Sequence, residues 1–131
     1  MIKMIGIDIV EISRIENAIK NESFYNKLLL KSEKEYVDQK SDKQTKVGHS
    51  PRACSIAGFF SAKEAVLKAF GVGLTFGFGL LDVEILHDDK GAPIVSLSPA
   101  LKELLKQKNK KNAKISISHD GNYAIAICML E

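Results

Sequence analysis

Residues 2–10 alternate. Ile5, Ile7 and Ile9 share one face of a strand, while Met4, Gly6, Asp8 and Val10 share the other. A helix is expected at once after it, with "SRIE" (Ser13 to Glu16) as a capping box and an apolar stripe of Ile12, Ile15 and Ile19. "SFYNKLLLKSEKEYVDQK" reads as one or two short helices, with a break near Ser32 and a second capping box from Ser32 and Glu35. The polar stretch 41–51 is a loop ending in Pro51. The main helix runs from about Arg52 to Phe70, and Gly71 stops it. "DVEILHD" and "APIVSLS" are strands around the hairpin signal "DDKG". A helix opening at Pro99 carries Leu101, Leu104 and Leu105 on one stripe, and "KISISHDGNYAIAICML" closes the chain as two strands. The order β-α-α-α-β-β-α-β-β, with helices segregated from mostly antiparallel strands, predicts one α+β domain over residues 1–131.

Composition narrows this picture a little. Of 131 residues, 45% are hydrophobic and 27% charged, the balance of a globular domain. The net charge of +3 suits phosphates or acidic partners without requiring nucleic acid. Cys54 and Cys128 lack any metal-ligand spacing and read as reduced core thiols of a cytoplasmic protein. The N-terminus has no cleavage site for a signal peptide, and no apolar run is long enough to span a membrane. The competing class is a non-enzymatic, basic α+β nucleic-acid-binding module. It predicts aromatics interleaved with the basic run, and "KQKNKKNAK" has none, so that run reads as solvated surface.

The candidate chemistry lies in "FSAKEAVLKAFG", Phe60 to Gly71. At about 100° per residue, Ser61, Glu64 and Lys68 fall in a sector of roughly 60° on an otherwise apolar helix, with Ala53 and Ala57 on the same line. Two readings stand for Glu64 and Lys68: an i,i+4 salt bridge on a thin exposed strip, or a polar slot that admits a ligand. Lys63 points elsewhere, toward Leu67 and Phe70, where it would snorkel. Asp8 is the second anomaly, a carboxylate inside an apolar strand. Asp8 and Glu64 together would suit magnesium, which takes one or two carboxylates and fills its octahedron with water and phosphate oxygens.

"GIDIVEISRIE" followed by "FSAKEAVLKAFG" resembles bacterial holo-acyl-carrier-protein synthases, which are 4′-phosphopantetheinyl transferases. Gly6, Asp8, Arg14 and Ile15 match one family pattern. Phe60, Lys63, Glu64, Ala65, Lys68, Ala69, Gly71 and Gly73 match the other. "DVEILHDDKGAP" and "ISISHDGNYAIA" resemble later family segments. The resemblance implies a fatty-acid-biosynthesis transferase that moves phosphopantetheine from coenzyme A to a serine of an apo acyl carrier protein, with magnesium. It implies that Asp8 and Glu64 hold the metal, and that Glu64, directly or through a water, takes the serine proton. Lys68 would stabilise the transferring phosphate, and Lys63 would hold phosphate. Ser118, His119, Gly71 and Gly73 would lie against coenzyme A. Arg14, widened by Lys20 and Lys27, would dock the acidic carrier. The resemblance also implies a homotrimer with active sites at subunit boundaries. Phe59 departs from the pattern, because many relatives have Arg there, and Arg52 compensates only in part.

Overall fold

The structure, a computed structural model, describes residues 4–46, 48–72 and 77–131. Its strands are β1 (Met4–Glu11), β2 (Val83–His87), β3 (Pro93–Leu97), β4 (Ala113–Asp120) and β5 (Tyr123–Leu130). Its helices are α1 (Ile12–Ala18), α2 (Glu22–Leu28), α3 (Lys31–Asp38), α4 (Pro51–Phe70) and α5 (Pro99–Gln107). One antiparallel sheet has the order β1-β5-β4, and β2-β3 forms a separate hairpin. The fold is α+β, with the long α4 laid across β1, β5 and β4. Among the described residues no helix is long and apolar enough to cross a membrane.

α4 begins and ends for local reasons. The Ser50 hydroxyl accepts from the Ala53 N–H, Pro51 occupies the first helical turn, and Gly71 closes the helix at φ 71°. Two expected capping boxes are not formed. The first turn of α1 is capped from outside: Ser13 N–H donates to Asn122 Oδ1, and Ile12 N–H donates to the Asn122 carbonyl. The second break falls at Leu29-Leu30, ahead of Ser32, and Glu33 accepts the Leu30 N–H. Ser32 instead donates to Glu84.

The sheet turns its small residues inward. Gly6 and Val10 of β1 and Ala124, Ala126 and Cys128 of β5 are buried under α4. A Cβ on Gly6 would lie 2.0 Å from the Ala65 carbonyl oxygen and 2.5 Å from the Ala69 nitrogen. Strand and helix therefore touch backbone to backbone, through glycine on one side and alanines on the other. The isoleucines take the opposite face: Ile5, Ile7, Ile9, Ile125 and Ile127 are all exposed, Ile9 at 60%.

Candidate active site

The close approach of β1 to α4 assembles the polar slot. Ser61 Oγ donates to the Asp8 carbonyl at 2.8 Å. Lys68 Nζ donates to the Ile7 carbonyl at 3.1 Å and to Asp8 Oδ1 at 3.0 Å. Lys68 is thus paired across to the strand rather than along its own helix to Glu64. Asp8 Oδ2 is buried and has no hydrogen-bond partner among the described residues. Burial pushes the Glu64 carboxyl up from its ordinary range, and the Asp8 charge pushes it further, while Lys68 and Arg14 oppose. An orphaned carboxylate oxygen beside a second carboxyl whose ionised form is disfavoured is a site short of positive charge.

That donor set fits a hard divalent cation. It offers carboxylate oxygens from two rigid elements and leaves the other positions to water and ligand, as magnesium requires. Among the described residues no group of three or more His, Cys, Asp or Glu is placed to hold a metal ion, so the protein's share of the ligands would be these two carboxylates.

A groove of about 620 Å³ opens beside this slot. It is lined by Phe60, Glu64, Leu67 and Lys68 of α4, by Phe24 and Lys27 of α2, and by Gly79, Leu80 and Leu81 ahead of β2. Lys27 therefore shares a cavity with Glu64, and Arg14 is close enough to act on the Glu64 charge. Lys20 lies apart, lining a smaller hollow with Glu16, Tyr25 and Arg52. Lys106, Lys110, Lys111 and Lys114 of the "KQKNKKNAK" run line a different cleft, between β3 and β4, that shares no residue with the groove.

Several expected ligand contacts are not gathered here. Lys63 is fully buried, and its ammonium donates to the Leu28 carbonyl and to Glu33 Oε1, each at 2.6 Å. It does not snorkel: its ammonium is turned to Leu28 and Glu33, inside the protein. Burial pulls its pKa down and the Glu33 charge pulls it back. His119 Nε2–H donates to the Cys54 carbonyl at 2.9 Å, packed over Gly58. That is about 9–15 Å along α4 from Glu64. Ser118 lies on the other face of β4, opposite Ile125. Gly71 is exposed and supplies the left-handed turn, and Gly73 lies outside the described residues.

Phe59, in the position of an expected arginine, is buried against Tyr36 and His87, with ring centroids 5.6 and 5.8 Å away. Arg52 is engaged with Tyr25 and Asp38. Glu33 and the groove residues Phe24, Leu80 and Leu81 were not singled out from the sequence. The signal for Glu33 was faint: a carboxylate in the first turn of α3, among Lys31, Ser32, Lys34 and Glu35, which reads as one more solvated charge.

The chain belongs to the 4′-phosphopantetheinyl transferase superfamily, whose family model matches residues 4–128. It is 42% identical over 130 residues to a holo-acyl-carrier-protein synthase of Campylobacter hominis, covering 98% of this chain and 97% of that one. A namesake from Clostridium botulinum is 45% identical over 132 residues, covering 100% and 98%. Among solved structures, the Helicobacter pylori holo-acyl-carrier-protein synthase in complex with coenzyme A superimposes with a TM-score of 0.79 at 38% identity, covering 98% of this chain and 100% of that one. The Bacillus anthracis holo-acyl-carrier-protein synthase, described in complex with CoA (3′,5′-ADP), gives 0.74 at 31% identity, covering 96% and 93%.

Proposed function

We propose that this protein transfers the 4′-phosphopantetheine group of coenzyme A to a serine of an apo acyl carrier protein in the cytoplasm. The observation that carries the reading is the orphaned Asp8 oxygen beside Glu64 and Lys68, in a member of this superfamily. The serine oxygen forms a bond to the β-phosphorus of coenzyme A. The bond from that phosphorus to the bridging oxygen breaks, and adenosine 3′,5′-bisphosphate leaves with the electron pair. Such transfers depend on positioning and charge neutralisation.

Asp8 and Glu64 would hold magnesium, which when bound neutralises pyrophosphate oxygens. Glu64, in its carboxylate form, would accept the serine proton, directly or through a water. Lys68, with its side chain half exposed, supplies an ammonium to the transferring phosphate and a proton to the leaving oxygen. The groove gives the carrier its approach to that phosphorus, and Arg14 and Lys27 meet its acidic surface. His119 and Ser118 reach coenzyme A only across a subunit boundary, and the exposed isoleucine face supports such an assembly, a homotrimer by this reading.

The test is product release. Coenzyme A and magnesium should yield adenosine 3′,5′-bisphosphate by chromatography only when an apo carrier protein is present. Absence of that product with cognate carriers would overturn the assignment.

A further inference from the structure

The lining of the groove comes from different elements, and α2, at seven residues, is too short to keep its place by its own hydrogen bonds. Three ties hold it to α4: Arg52, in the first turn of α4, donates to the Tyr25 hydroxyl at 3.1 Å, and two more lie nearer Glu64. Phe24 meets Phe60 at the mouth, with centroids 6.3 Å apart. The third tie is Lys63, the residue before Glu64, which reaches the Leu28 carbonyl in the last turn of α2.

The tie is built from helix ends. A last-turn carbonyl such as Leu28's has no partner within its helix, and a cation there also complements the dipole. Glu33 sits in the first turn of α3, where a carboxylate is favoured for the converse reason. Its Oε1 accepts from Lys63 and from the Leu30 N–H, and its Oε2 accepts from the Ile85 N–H at 2.8 Å. Four elements, α2, α3, α4 and β2, thus meet at one fully buried pair. Apolar replacements for such a pair often cost a fold nothing, so stability alone does not account for it. Apolar side chains would not supply a bond of fixed length from α4 to the end of α2.

We propose that the Lys63–Glu33 pair is a positioning device for the transfer reaction: it sets the separation of the α2 and α4 walls, and so the placing of Phe24 and Lys27 relative to Glu64. This rests on the reading of the groove as the carrier's approach.

The test uses the full-length Lys63→Met/Glu33→Gln variant, which removes the tie and leaves no buried charge unpaired. Its KM for the carrier should rise roughly tenfold, the effect of one lost charged hydrogen bond, while kcat and the KM for coenzyme A stay within about twofold. Amide hydrogen exchange should quicken across Glu22–Leu28 and not across Pro51–Phe70. Lys63→Met alone should show the same kinetic split with a lower melting temperature, because Glu33 is left without its counter-charge. An unchanged carrier KM in the folded double variant would mean that the pair serves the fold only. Parallel losses in kcat and both KM values would equally refute a positioning role. The exchange measurement needs no turnover, so it stands even if the wild type transfers nothing, the outcome that overturns the transfer reading itself.

Discussion

Asp8 holds one carboxylate oxygen against Lys68 and buries the other without a partner among the described residues, and that oxygen is the residue-scale core of this account. Its location depends on Gly6, two residues earlier, which lets β1 touch α4. Gly6→Ala should therefore be more damaging than its single methyl suggests. The new Cβ meets backbone atoms of Ala65 and Ala69, which have no rotamer to escape into. A loss of about 3 kcal/mol or more, at the upper end for overpacking, is expected from urea unfolding. A variant as stable as the parent would mean that strand and helix are not in such contact. The polar slot was legible in the sequence because helical spacing alone groups Ser61, Glu64 and Lys68. The same spacing separated Lys63 from them, but the identity of its partner was not legible. Glu33 is thirty residues away, and only tertiary packing brings it under α4.

At the scale of elements, what local chemistry governs was readable and what distant packing governs was not. Periodicity and breakers marked α4, the β2–β3 hairpin and the closing pair of strands. The cap of α1 was misread because Asn122, 109 positions from Ser13, supplies it. Alternation defined the two faces of β1 without saying which one meets the core. The small-residue face meets α4 backbone to backbone, and that close approach brings Lys68 to Asp8.

The other side of α4 carries an aromatic stack instead of an expected arginine. His87 lies on Tyr36 with centroids 4.1 Å apart and rings nearly parallel. Burial lowers the His87 pKa, Lys40 lowers it further, and Asp88 opposes. The imidazole is therefore favoured as neutral in the fold. Its contribution to stability is full above the unfolded value of about 6.5 and is lost as pH falls through the lower folded value. Between pH ~7.5 and ~5 the wild-type melting temperature should fall more than that of His87→Phe, which keeps a ring and loses the proton site. Equal falls would show that His87 is not coupled to folding.

On the scale of the whole molecule, the sheet wears its isoleucines outside. Ile5, Ile7 and Ile9 are each more than half exposed, and Ile125, Ile127 and Tyr123 extend the same face across β5. A contiguous apolar face of this kind is the surface that the proposed homotrimer would bury. Ile7→Lys should shift the sedimentation coefficient toward a monomer and reduce transfer if neighbouring subunits complete the site. An unaltered oligomer would remove the sheet face from the assembly. The central claim is that Asp8, Glu64 and Lys68 transfer phosphopantetheine, and mass spectrometry of the carrier tests it most directly. Apo carrier, coenzyme A and magnesium are incubated with wild type, Asp8→Ala or Glu64→Ala, each verified as folded. Wild type should add the phosphopantetheine mass to the carrier, and each variant should do so roughly a hundredfold more slowly or worse. Full transfer by either variant, or none by the wild type to any cognate carrier, would contradict the account.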